Sequence, residues 1–358
     1  MWGRFTDMNS GRLVSLDQFR GYTVAGMFVV NWLGAFLVMP EILKHHRTWC
    51  SYADTIMPQF FFAAGFALRL VYLRNAEKSG VAAAHWRAVR RGLGLFVFGV
   101  IFYNFGGQWR EWAALKESGW SGFFSLQFWA QPFQALVHIA VTSLWLLPVL
   151  ARGAAVRIVF ALLSAGLHLW LSHDFWFEKL INSGVIDGGP LGFLTWTLPT
   201  VAGTLAYDAV RAGWKMPRLA AWGAVFMAAG YALSCRSNGG GWAAPPFVAN
   251  TMSHDLWTMS QKAGSTSYLL FSAGFSLALY AAFRVLCEGR GWRLTVFHDL
   301  GSNALAAYVL HSIVMAACIS FAPKDSPAWW ALGIGALHFG LIWWMVRWLN
   351  AKGLYLRL

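Results

Sequence analysis

The chain has 358 residues, 58% of them hydrophobic and only 12% charged, with a mean hydropathy of +0.48; a soluble globular domain carries about 25% charged residues, so that class is excluded. Its formal charge of +13 is spread over short loops between apolar spans, with no basic patch interleaved with aromatics, which excludes nucleic acid as the partner and points to membrane topology. Cys50, Cys235, Cys287 and Cys318 show neither C-x-x-C nor zinc spacing, so no metal is expected, while a Cys50–Cys235 disulfide stays open because both fall on one predicted side.

The polar segment Met1–Ser10 has no cleavable-signal pattern. Ten apolar segments then follow that are long enough to cross a bilayer, near residues 21–39, 53–73, 92–105, 131–150, 155–172, 192–210, 219–235, 266–286, 301–320 and 328–349. The fold expected is all-α, one transmembrane domain over 1–358. With the N-terminus placed in the cytoplasm, 20 of the 28 Lys and Arg residues fall to inner loops. The other 8 (Lys44, Arg47, Arg110, Lys116, Lys179, Arg236, Lys262 and Lys324) fall outside. Ten spans with both termini cytoplasmic is the consistent topology, and a bacterial inner membrane the expected location.

The first span is polar at both ends. Asp17 and Arg20 precede it, Asn31 lies in its outer half, and His45, His46, Trp49 and Asp54 follow it. Polar groups are hidden in a membrane helix only at a cost, so the cluster marks a candidate site. Histidine is the side chain best suited to proton transfer near neutral pH. The residues by themselves leave two plainer readings open: solvated loop histidines, and an asparagine that ties helices together.

Further along, Trp109, Trp112 and Leu115 at three-residue spacing predict a short helix lying in the membrane interface. Residues 173–191 are polar and glycine-rich, with His173, Asp174, Glu178 and Asp187, and suit either a substrate cleft or a solvated loop. The long outer segment 236–265 opens on Gly239-Gly240-Gly241 and ends at His254-Asp255-Leu256-Trp257-Thr258-Met259-Ser260. Its glycine run lacks the Lys and the strand–helix context of a phosphate loop. Asn303 and His311 lie two turns apart on the ninth predicted span, where one helix face would hold both.

Arg12-Leu-Val-Ser-Leu-Asp17-Gln-Phe-Arg20-Gly21, Val30-Asn31-Trp32, His46-Arg-Thr-Trp49 and Ala53-Asp54 with Pro58 together resemble the heparan-α-glucosaminide N-acetyltransferase family of transmembrane acyltransferases. There, R…S-x-D-x-F-R-G, V-N-[YW], H-x-x-W and A-D…P blocks occur in this order. Leu256-Trp257-Thr258-Met259-Ser260 and Gly301-Ser302-Asn303 through Tyr308 resemble two later blocks. His45 sits one place off the H-x-x-W spacing, so His46 is the match. A related O-acyltransferase membrane family has a histidine near the end of its first span, where this chain has Asn31.

The resemblance implies transfer of acetyl from cytosolic acetyl-CoA to an amine or hydroxyl of a sugar or glycan outside the cytoplasm. His46 would act as general base or as covalent acyl carrier, and Asn31 would meet the oxyanion. Asp17, Arg20, Trp49, Asp54, Trp257, Ser260, Asn303 and His311 would form the substrate and CoA sites. Membrane lipids surround such a protein, and a homodimer is compatible with it. The competing reading is a carrier or flippase for a sugar or lipid-linked intermediate.

Overall fold

The computed structural model describes residues 13–104, 111–125, 129, 132–250 and 254–356; Arg12, Trp109 and Arg110 fall outside them. The described residues form helices joined by loops, with no strand among them. In order they are α1 (Val14–Leu33), α2 (Tyr52–Ser79), α3 (Val81–Tyr103), α4 (Trp112–Phe123), α5 (Ala135–Leu150) and α6 (Ala154–Leu171). A π-type turn, Ser172–Trp176, continues α6 into a short helix, Phe177–Ile181. Then come α7 (Phe193–Arg211), α8 (Met216–Ser234), α9 (Thr266–Arg284), α10 (Thr295–Ser302), α11 (Ala304–Ile319) and α12 (Ala328–Ala351).

Four helical stretches among the described residues are long and apolar enough to cross a membrane: Tyr52–Ser79, Ala154–Ile181, Thr266–Gly289 and Ala328–Ala351. The pair α10–α11 makes a fifth if its two arms count as one span. Apolar side chains such as Leu162, Leu163, Leu332 and Trp344 lie exposed along α6 and α12, as a lipid-facing surface requires.

Several boundaries differ from the sequence reading. α1 begins at Val14, not near residue 21, so Asp17 and Arg20 belong to its first two turns. α3 reaches back to Val81. The expected span 301–320 is broken at Asn303, where α10 and α11 meet at 96°. Close packing and tail capture account for the break. A Cβ on Gly301 would lie 1.9 Å from the Asp17 carbonyl oxygen, so α10 rides directly on the backbone of α1. Asn303 leaves the helical region (φ −130, ψ 46). Its carboxamide donates to the Leu354 carbonyl at 2.8 Å and accepts from the Leu356 N–H at 3.1 Å. Asn303 and His311 therefore do not share a helix face. The four cysteines are free thiols, so Cys50 and Cys235 are unpaired.

The packing of α2 against α7 positions the site. A Cβ on Gly65 would stand 2.0 Å from the Thr200 carbonyl oxygen, and one on Gly203 would stand 2.0 Å from that of Phe62. Glycine lets the two backbones touch, the usual solution where lipid removes the hydrophobic drive between helices. Phe61 stacks on Trp196 at 4.4 Å across the same seam. Phe19, Phe62, Phe66 and Tyr280 form an aromatic cluster that joins α2 to α1 and α9, the Phe19 contacts edge-on and the other Tyr280 contacts tilted.

Candidate functional site

Three helices that pack together, α2, α7 and α9, begin at the same end of the molecule. The loops feeding them, 34–51, 182–192 and the described stretches 236–250 and 254–265, are tied together over those N-termini. The Phe247 N–H donates to the Cys50 carbonyl at 2.8 Å. The Gly188 N–H donates to the Lys262 carbonyl at 3.0 Å. The Lys262 ammonium donates to the carbonyls of Ile181 and Ser183, each at 2.9 Å. Helix N-termini present free N–H groups and positive dipole ends, so the place where they converge favours carboxylates and developing oxyanions.

Asp54 is the hub of this end. It is the third residue of α2 and closes a capping box with Ser51: its N–H donates to Ser51 Oγ at 3.2 Å, and its Oδ2 accepts the Ser51 N–H at 3.0 Å. Pro58, four residues on, has no N–H, so the Asp54 carbonyl loses its helical donor. The Tyr268 hydroxyl from the first turn of α9 supplies the replacement at 2.6 Å. The Ala-Asp…Pro block is thus a local device that frees a carbonyl and fixes a carboxylate.

The second oxygen, Asp54 Oδ1, meets His45 Nδ1 at 2.9 Å. Solvent reaches 47% of the His45 side chain, yet protein surrounds it closely enough that burial is the largest single influence on its charge. The ring is thus half-exposed, with the rest of its surface against protein. Burial alone would depress its pKa. The Asp54 hydrogen bond and charge, the nearby Asp187 charge and a hydrogen bond with Gln261 together outweigh burial and leave it raised.

Asp187 completes the cluster. It is buried, and its backbone is left-handed (φ 59) at a non-glycine position, a conformation that costs energy and persists only when held. The Trp196 indole N–H holds its carbonyl at 2.8 Å, and Gln261 Nε2 donates to its Oδ1 at 3.0 Å. Gly188 and Gly189 continue the left-handed turn, with φ 78 and 57. Burial pushes the Asp187 carboxyl up to about 7, and the Asp54 charge adds to this, while His45 and Gln261 pull it down.

His46 has different surroundings. Its ring stacks on Trp49 at 4.0 Å, and its Nε2–H donates to the Glu41 carbonyl at 2.8 Å. It reaches Asp54 only through its backbone N–H, at 3.4 Å. Asn31 and His311 are brought together inside the bundle. The carboxamide nitrogen lies 3.2 Å from His311 Nε2, and His311 Nδ1 lies 3.2 Å from His338 Nε2. Phe28 stacks on His311 at 5.0 Å and Trp32 on His338 at 5.2 Å. No hydrogen bond among the described residues joins this polar chain to His45 or His46.

Ser260 is fully buried, and its Oγ pairs with His254 Nε2 at 2.8 Å, one residue from Gln261. Burial, then the charges of Lys262 and Arg47, hold the His254 pKa down. Trp257 lies under the Arg236 guanidinium at 4.5 Å. Asp17, Arg20 and Asn303 belong elsewhere. Asp17 and Arg20 lie in α1 fourteen and eleven residues before Asn31, about 21 and 16 Å along the axis at 1.5 Å per residue, and Asn303 grips the C-terminal tail.

Sequence reasoning named Asp187 only as one polar residue of a segment that suits either a cleft or a solvated loop, and did not single out Gln261 or Tyr268. Asp187-Gly-Gly-Pro is a turn signal that announces left-handed backbone, and Gln261 directly follows the Leu-Trp-Thr-x-Ser block. Tyr268 had no local signal, because its role depends on a proline more than two hundred residues away. The chain matches no protein-family model and no curated protein.

Proposed function

We propose that the protein is a membrane-embedded acyltransferase that moves acetyl from cytosolic acetyl-CoA to an amine or hydroxyl of a sugar outside the cytoplasm. The observation that carries this reading is the His45–Asp54 pair. A carboxylate on Nδ1 fixes the ring tautomer and leaves Nε2 to take a proton, the arrangement a general base needs. The acceptor N–H or O–H attacks the thioester carbonyl while His45 Nε2 removes its proton. As the C–S bond breaks, the proton passes to the CoA thiolate, giving the acetylated acceptor and free thiol. The convergent N-termini of α2, α7 and α9 supply positive dipole ends for the oxyanion. Asn31, oriented by His311, keeps a second amide hydrogen for the same charge.

The family resemblance supports the same chemistry with one change, the general base being His45 in place of His46. The reading includes ten spans, both termini in the cytoplasm and a bacterial inner membrane, supported by the bias of Lys and Arg towards one set of loops. Purified protein incubated with labelled acetyl-CoA and a panel of amino sugars tests it. One acetyl should appear in the acceptor for each CoA thiol released. Movement of unmodified acceptor across a vesicle membrane with no thiol release would make the protein a carrier instead.

A further inference from the structure

Further along α2, and in the last turn of α7, lies a group of charges that this chemistry does not use. Arg69 and Asp208 face each other across the α2–α7 seam, with Arg69 Nε 3.1 Å and Nη2 3.3 Å from the carboxylate. Arg69 Nη1 donates to the Leu150 carbonyl at the end of α5. Arg157, from the first turn of α6, places Nη2 on the same Asp208 carboxylate. Two guanidinium groups therefore share one carboxylate, and the charges bearing on Arg157 are those of Asp208 and Arg69. The cluster carries a net charge of about +1.

Arg157 is 0% exposed, and its Nε and Nη1 make no hydrogen bond among the described residues. Arginine cannot shed its proton to escape this. A buried donor left unmet costs about 1–3 kcal/mol, more when it is charged. The Leu150 carbonyl is already taken by Arg69, and both Asp208 oxygens are occupied. Two further observations point the same way. Helical side chains lean towards their own N-terminus, and α6 begins at Ala154 after Gly153 with no side-chain cap on its first N–H groups. The Asp208 side chain is 28% exposed, so the cluster borders solvent.

We propose that Arg157, Arg69 and the start of α6 form a binding site for a phosphate group, with Asp208 as the internal carboxylate that holds the guanidiniums apart from ligand. A phosphate oxygen engages the free Arg157 donors and removes the excess positive charge. Fifteen residues of α2 separate Arg69 from Asp54, about 22 Å at 1.5 Å per residue, so the site lies well apart from the His45 cluster along the same helix. The inference requires only the phosphate, which a soluble phosphoanhydride or an anionic lipid headgroup would equally provide; it does not depend on acetyl transfer.

Binding is measured on the full-length purified protein, by thermal melting and by titration. The probes are inorganic pyrophosphate, CoA, and nanodiscs of phosphatidylglycerol compared with phosphatidylcholine. At least one phosphate probe should raise the melting temperature of the native chain. The effect should be lost in Arg157→Gln. A response to pyrophosphate or CoA identifies a soluble ligand, and a response confined to phosphatidylglycerol identifies a lipid. Asp208→Asn keeps both guanidiniums and removes their competitor, so it should bind the responding probe about tenfold more tightly, as deleting a carboxylate a few ångströms away requires. Any stability lost in that variant should return on adding the probe. No shift with any probe, an equal shift in Arg157→Gln, or an Asp208→Asn variant that phosphate neither binds more tightly nor rescues would each overturn the site. These readouts involve no acetyl transfer, so failure of the acyltransferase reading would leave them unchanged.

Discussion

His45 and His46 are adjacent in the chain, yet their ring nitrogens meet different groups. Asp54 fixes Nδ1 of His45, while His46 spends its Nε2–H on a backbone carbonyl and its ring face on Trp49. His45→Ala should therefore lower the rate of transfer by about 10²–10⁴-fold, the usual worth of a positioned base. His46→Ala should leave turnover per folded protein nearly intact and cost roughly 1–2 kcal/mol of loop stability, from one hydrogen bond and one ring contact. Kinetics and melting of both variants decide the matter, and the reverse pattern would return the catalytic role to His46. The pH dependence follows from the raised His45 pKa. A base works in its neutral form, so the rate should climb with pH and its inflection should lie above 6.5. Asp54→Asn removes the leading upward influences and should shift that inflection down. The linkage to stability has the same direction: the His45–Asp54 contribution is complete below pH 6.5 and is lost as pH rises through the raised value. Asp187 titrates near 7 because burial penalises its anion. The fold should lose stability as pH rises from about 4 to 7, and Asp187→Asn should melt higher than the native chain at pH 8.

At the scale of the helix, Pro58 and Tyr268 form one device. The proline removes an N–H from α2, and the tyrosine hydroxyl of α9 restores a partner to the Asp54 carbonyl. Tyr268→Phe should leave that buried carbonyl unmet and cost about 1–3 kcal/mol in melting experiments. Pro58→Ala returns the helical donor, so the double variant should be less destabilised than Tyr268→Phe alone. Additive losses would show that the hydroxyl acts through packing and not through the carbonyl. The α10–α11 break works differently. There a glycine seated on a neighbouring backbone and an asparagine holding the tail end one helix and start another.

For the molecule as a whole, α2 and α7 carry the candidate site at their N-terminal ends and share the Arg69–Asp208 pair further along, in the middle of α2 and the last turn of α7. The proposed topology puts those N-terminal ends outside. In a Cys235→Ser background, His46→Cys should react with an impermeant thiol reagent in intact cells, and Arg90→Cys should react only after permeabilisation. Labelling in the opposite order would invert the orientation and move acetyl-CoA access to the His45 face.

Composition alone determined the all-helical, membrane-compatible character of the chain, because apolar length and sparse charge leave few alternatives in lipid. The importance of Asp54 and of the histidine loop was also legible, since polar residues flanking an apolar span are costly and local in sequence. Tertiary structure alone decided which histidine faces the carboxylate, because adjacent loop residues point to different neighbours and residue spacing does not encode direction. It alone brought Asp187 and Gln261 to His45, through loops separated by more than seventy residues, and supplied Tyr268 for a carbonyl freed in another helix. The ninth span matches helix Ala304–Ile319 to within three residues, but the 96° break before it was not legible, because hydropathy records how apolar a stretch is and the break arises from what Gly301 and Asn303 touch.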